Sequence, residues 1–182
     1  MRDVRVPGAS ADAALPGLLH SMGMSSLAAA LPPDGRQSPA AAAIARGVTR
    51  LLHALGYSVV SELALASGRR ADLVALGAAG EIWIVEIKSS VADFRADRKW
   101  IDYRLHCDRL FFATTLDVPR ELFPTDAGLI MADAFGAAIM REAPRHALAP
   151  ATRKRTMLAF ARAAALRLSA LADPQGYYGA EL

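Results

Sequence analysis

The chain reads as an α/β protein: a mixed sheet flanked by helices, with an additional helix at its C-terminal end. Three observations predict it. Apolar runs at residues 59–65, 71–76 and 81–88 are separated by Gly-containing turns, which makes an antiparallel meander of three strands. A helical stretch then leads to an apolar run at residues 109–115, the spacing of a parallel crossover. Helical periodicity opens and closes the series.

Taken in order, residues 1–37 are rich in Ala, Pro, Gly and Ser. They are expected to form a poorly ordered tail with one short amphipathic turn around residues 15–31. Ser38-Pro39 opens the first helix, with Ser at the N-cap and Pro at the first helical position. Ile44, Val48, Leu51, Leu52 and Leu55 recur at helical spacing, Gly56 stops the helix, and Arg46, Arg50 and His53 take its outer face. The three strands follow, the first two joined by Ser67-Gly68-Arg69-Arg70 and the last two by Gly77-Ala78-Ala79-Gly80. A helix is expected over residues 91–106 with Phe94, Ile101 and Leu105 on its apolar face. After the parallel strand come two short strands, at residues 129–132 and 138–141. The closing helix, residues 151–172, has Met157, Phe160, Ala164, Leu168 and Leu171 at core spacing. The order is αβββαβ, then a hairpin and a helix.

With 182 residues one domain is expected, at 38–173, between tails at 1–37 and 174–182. A content of 53% hydrophobic and 21% charged residues is that of a globular protein. The net charge of +3 is compatible with nucleic acid and equally with an Arg-rich surface. The cations are 18 Arg and only 3 Lys, namely Lys88, Lys99 and Lys154. A Lys inside a buried strand therefore stands out as a place where a compact ammonium is wanted. Cys107 is the single cysteine, which excludes an intramolecular disulfide and suits a cytoplasmic location. No run of 18 apolar residues predicts a membrane span. Arg2 and Arg5 ahead of Ala- and Leu-rich sequence have the look of a targeting peptide, but Asp3, Pro7, Asp12, Pro16 and His20 interrupt any apolar core, so a tail is preferred. The four histidines show no metal-ligand spacing.

The chemistry concentrates in Ile82-Trp83-Ile84-Val85-Glu86-Ile87-Lys88. Side chains alternate along a strand, so Glu86 and Lys88 share a face with Ile82 and Ile84. A buried strand rarely keeps two charges on one face unless they are paired or bind something. Asp72, on the preceding strand, shares its face with Val74 and Leu76. Two carboxylates converging there would bind a hard cation such as Mg²⁺ or Mn²⁺. Lys88 would orient a water or neutralise phosphate charge. The alternative is a structural salt bridge from Lys88 to Asp72 or Glu86, with no metal.

Asp72, thirteen residues, then Glu86-Ile87-Lys88, inside an αβββαβ order, resembles the signature of the PD-(D/E)XK nuclease superfamily, with Ala71 where that superfamily has Pro. A further likeness covers about residues 34–174. Asp34-Gly35-Arg36-Gln37-Ser38-Pro39, Ser67-Gly68-Arg69-Arg70-Ala71-Asp72, Val85-Glu86-Ile87-Lys88-Ser89-Ser90 and Asp93-Phe94-Arg95-Ala96-Asp97-Arg98-Lys99-Trp100 are similar to the bacterial MmcB family of DNA repair proteins. The resemblance implies a restriction-endonuclease-like core and a metal-dependent deoxyribonuclease acting in DNA repair. It makes Asp72, Glu86 and the Ile87 carbonyl metal ligands and Lys88 the catalytic lysine. The first helix carries no acid where many superfamily members have a Glu, so Glu62 on the first strand is the candidate extra ligand. If Glu62 points elsewhere, the site has two carboxylates, and a DNA-structure-binding or adaptor domain becomes the alternative.

DNA, whether single-stranded, nicked or branched, is the implied partner, alongside repair-pathway proteins that the sequence does not identify. Many nucleases with this core form homodimers, so the resemblance adds a second copy of the chain as a candidate partner. Ser89 and Ser90 are candidates for DNA contact or for capping the next helix. On the 91–106 helix, Lys99, Trp100 and Tyr103 project away from the expected core face, where they could hold a phosphate and stack a base. Alternatively, Trp100 packs under a neighbouring element. Arg69 and Arg70 could position a phosphate beside Asp72 or lie in a solvated turn. Arg153, Lys154 and Arg155, at the unfavourable end of a helix dipole, call for an external anion or an acidic loop.

Overall fold

A computed structural model of the protein describes residues 38–97 and 100–176. The tail at 1–37, Arg98, Lys99 and residues 177–182 lie outside the described residues.

Helix α1, Pro39–Ala54, begins where its cap predicts: the Ser38 hydroxyl accepts from the Ala41 N–H at 3.1 Å. Gly56, at φ +83°, takes the left-handed conformation that ends it. Strands β1 (Ser58–Ala64), β2 (Arg70–Leu76) and β3 (Ile82–Ile87) form the antiparallel meander. Strands β4 (Arg109–Thr114) and β5 (Gly128–Ala132) join in parallel, and β6 (Ala137–Arg141) closes antiparallel. The result is one six-stranded mixed sheet in sequential order. Helix α2 (Val91–Ala96) precedes β4, so the expected αβββαβ order is present. The closing helix, α3, is Pro150–Ala172.

Period-two alternation divides the core into two layers. Leu73, Ala75, Trp83, Val85, Ile87, Phe111 and Ala113 face α1, against Ile44, Val48 and Leu52. Val74, Ile82, Ile84 and Leu110 face the other way, against Tyr103, Cys107 and the α3 residues Phe160 and Ala163. Gly47 lets α1 approach closely, since a Cβ there would run into the main-chain carbonyls of Asp133 and Gly136. Cys107 is fully buried, as expected of a small core residue, and burial pushes its thiol up to about 12.

Two helix expectations are corrected. The predicted 91–106 helix breaks: α2 ends at Asp97, whose ψ of 98° is extended, and a 3₁₀ helix follows at Trp100–His106. A 3₁₀ helix has three residues per turn, so Trp100, Tyr103 and His106 share one side. That side faces the sheet, with Tyr103 and His106 buried. Ile101 and Leu105, expected in the core, are 55% and 70% exposed. In α3 Phe160 is buried as expected, beside Thr156 and Ala163, and Met157 and Ala164 pack half-buried against the same layer, while Leu168 and Leu171 are 68% and 44% exposed. The apolar packing of α3 ends at Ala164, and beyond it Arg167 holds the helix to β1 through the Ser61 carbonyl.

Candidate active site

The ladder between β2 and β3 ends at Leu73↔Val85. One residue further on, the two acids take over the main-chain donors. The Asp72 carboxylate accepts from the Ile87 N–H at 2.8 Å, and the Glu86 carboxylate accepts from the Asp72 N–H at 3.3 Å. Each carboxylate thus braces the other's strand. Oδ1 of Asp72 and Oε2 of Glu86 are left without a hydrogen bond among the described residues. Glu86 is only 3% exposed.

The electrostatics follow from this placement. Burial, helped by the Glu62 and Asp93 charges and opposed by the Ile87 N–H and Lys88, raises the Asp72 carboxyl to about 6. Burial, then the Asp72 charge beside it, raises the Glu86 carboxyl well above its ordinary value. Two carboxylates side by side, Glu86 buried and Asp72 half-buried, each with a spare oxygen, are a donor set that suits a hard divalent cation. The fit is with two acids: among the described residues no group of three or more His, Cys, Asp or Glu side chains is placed to hold a metal.

Glu62 comes close to that row without completing it. Its position lies opposite Asp72 in the β1–β2 register, but it adopts φ +50° and the two are not paired. The kink shifts the alternation of β1, so Val60, Leu63 and Leu65 all reach the same core layer. The Glu62 carboxylate pairs with Arg70 Nε at 2.5 Å. Its charge reaches Asp72.

Lys88 is 6% exposed and on the Glu86 face, as alternation predicts. Its partner is neither Asp72 nor Glu86: Nζ donates to Asp97 at 2.7 Å. Burial alone would lower the ammonium's pKa, but that hydrogen bond and charge, with Glu86 and Asp93, raise it. The main chain of Lys88 is also fixed, its N–H donating to the Ala113 carbonyl at 2.8 Å and its carbonyl accepting from the Thr114 hydroxyl at 2.7 Å. Sequence reasoning missed Asp97 as a site residue. The available signal was that a buried lysine needs an acid, and Asp97 sits in the connection leaving its strand.

Of the DNA candidates, Ser90 caps α2, its hydroxyl accepting from the Asp93 N–H at 3.1 Å while the Asp93 carboxylate accepts from the Ser89 N–H at 3.0 Å. Arg69 pairs with Asp102 at 2.9 Å. Tyr103 does not project outward: it is buried, and its hydroxyl donates to the Arg70 carbonyl at 3.1 Å. Trp100 is half-buried, edge-on to Phe112 at 5.4 Å with Arg104 over its ring at 5.0 Å, the packing alternative for this residue. Both reversals follow from the helix break at Asp97, which resets the phase. Arg153 answers one anion question internally, holding the buried Asp108 through both terminal guanidinium nitrogens at 2.6 and 2.7 Å.

The model of a family described as "DNA repair protein MmcB-like" matches residues 29–175. A solved protein of unknown function from Silicibacter pomeroyi is 47% identical, with a TM-score of 0.76, over 80% of this chain and 99% of that one. A repair endonuclease from Pyrococcus abyssi aligns at 14% identity and a TM-score of 0.33, over 47% of this chain and 41% of that one, a likeness too low to argue from. No curated protein matches. No helix among the described residues is long and apolar enough to cross a membrane.

Proposed function

Because the chain belongs to the MmcB-like family of DNA repair proteins, we propose that it is a divalent-metal-dependent deoxyribonuclease that hydrolyses phosphodiester bonds. The observation that carries this reading is the pairing of Asp72 and Glu86, a half-buried and a buried carboxylate with free oxygens and raised pKa values, on one sheet face with Lys88. Asp72 and Glu86 would hold Mg²⁺ or Mn²⁺, with the Ile87 main chain between them. The bound metal would polarise a phosphoryl oxygen and lower the pKa of a water. Lys88, kept cationic by Asp97, supplies positive charge beside the scissile phosphate. The rigid strand ends hold these groups in place before substrate arrives.

The test is cleavage of single-stranded, nicked, flapped and branched DNA by the purified chain in Mg²⁺ or Mn²⁺. Lys88→Ala is expected to lower the rate by about 10²- to 10³-fold, the usual loss when one transition-state charge donor is removed. No cleavage of any substrate, or a rate indifferent to Lys88→Ala and Asp72→Ala, would overturn the reading. One observation favours a second reading, a DNA-structure-binding or adaptor domain: Glu62 is paired with Arg70, and Lys88 with Asp97. Structure-selective DNA binding without turnover, unchanged in Lys88→Ala, would support it.

A further inference from the structure

Helix α3 holds five cations, Arg153, Lys154, Arg155, Arg162 and Arg167, and no acid in its 23 residues. Without it, the chain's 18 acidic residues would outnumber the sixteen basic residues that remain. The basic character of this protein therefore resides in one helix. Two of the five are used internally: Arg153 on Asp108, and Arg167, which donates to the Ser61 carbonyl at 2.6 Å and bridges α3 to β1. Arg155 and Arg162 are exposed and make no ion pair or hydrogen bond among the described residues.

These two line a trough between α3 and β1, an edge strand of the described sheet. One groove, of about 180 Å³, runs between Arg162, Arg167, Ala159 and Ala163 on the helix and Glu62 on the strand. A second, of about 200 Å³, continues from Ala159 and Ala64 to Arg155 and Thr156. The shared Ala64 and Ala159 make the two grooves one channel with a small-residue floor. Arg155 and Arg162 are two helical turns apart on one side of α3, about 10 Å, near three steps of a strand that rises about 3.4 Å per phosphate. The one acid in the channel, Glu62, is paired with Arg70, and its position is one strand across from Asp72.

We infer that the β1–α3 trough, through Arg155 and Arg162, binds the sugar–phosphate backbone of the DNA strand that runs to the Asp72–Glu86 site. The inference deepens the function proposed above and rests on it for the identity of the ligand. Both arginines act by charge on phosphates, so the interaction is independent of base sequence.

The experiment is DNA binding by the full chain in EDTA, followed by fluorescence anisotropy across a salt series. Arg155→Ala/Arg162→Ala is expected to weaken binding to all sequences alike and to lower the slope of log affinity against log salt by about 2, about 1 for each phosphate no longer neutralised. Arg46→Ala/Arg120→Ala removes the same charge from exposed sites elsewhere and is expected to leave the slope unchanged. An unchanged slope in the first variant, or an equal drop in both, overturns the trough. A drop confined to the first variant supports it even if the wild type never cleaves DNA, a result that would remove only the nuclease reading. Cleavage together with an unchanged slope removes the trough and leaves the nuclease.

Discussion

Asp72→Asn is expected to make the metal-free protein more stable while abolishing DNA cleavage. Its folded carboxyl is raised to about 6, chiefly by burial. Below about pH 4, near the ordinary value, folded and unfolded forms are both protonated and the position costs nothing. Between about pH 4 and about 6 the unfolded chain has released its proton while the folded one keeps it. The unfolded state then binds fewer protons, so stability falls as pH rises. Above about pH 6 the full cost, about 3 kcal/mol, is present. Asparagine keeps an oxygen to accept from Ile87 N–H and carries no charge. In EDTA at pH 8 the variant should melt about 6–12 °C above the wild type, at about 2–4 °C per kcal/mol for a chain of this size. At pH 4 the two should melt together. Adding Mn²⁺ should raise the wild-type melting temperature and leave the variant's in place. Equal melting at pH 8, or the same gain at pH 4, would show that the Asp72 charge does not burden the fold.

Asp97→Ala is expected to destabilise the protein by about 3–5 kcal/mol, because it strips the hydrogen-bonded acid from a buried ammonium. Lys88 has a side-chain exposure of only 7%, against 20% for Asp97, so the lysine is the more costly member to leave alone. Lys88→Met/Asp97→Leu removes both charges and should recover most of the loss, since an apolar pair of similar volume avoids desolvation. Urea unfolding of the three proteins measures the difference. A loss under about 1 kcal/mol in Asp97→Ala would mean that Lys88 re-pairs with Glu86 or Asp72, the salt bridge that the strand pattern alone allowed.

The strands were legible because each is a short apolar run of strand length, the first three separated by Gly-containing turns. Side-chain alternation along β2 and β3 let the shared face of Glu86, Lys88 and Asp72 be read directly. The 91–106 segment was not legible. Its apolar residues fit a 3.6-residue period, but the helix stops at Asp97, whose carboxylate holds Lys88, and three residues per turn then bring Trp100 and Tyr103 inward. Glu62 was legible as a position beside Asp72. Its left-handed backbone and its pairing with Arg70 depend on residues across the sheet.

Local pattern by itself determined the element order, the first helix's caps, and the strand face on which Asp72, Glu86 and Lys88 meet. These depend on alternation and turn chemistry between residues close in sequence. Only the tertiary structure decided which charges pair: Lys88 with Asp97, Glu62 with Arg70, Arg153 with Asp108. It also decided which cations of α3 remain open to solvent. Ion pairing depends on distances and burial set by how helices pack on the sheet, and a charge looks the same in sequence whether its partner is a neighbour, a distant loop or a bound phosphate.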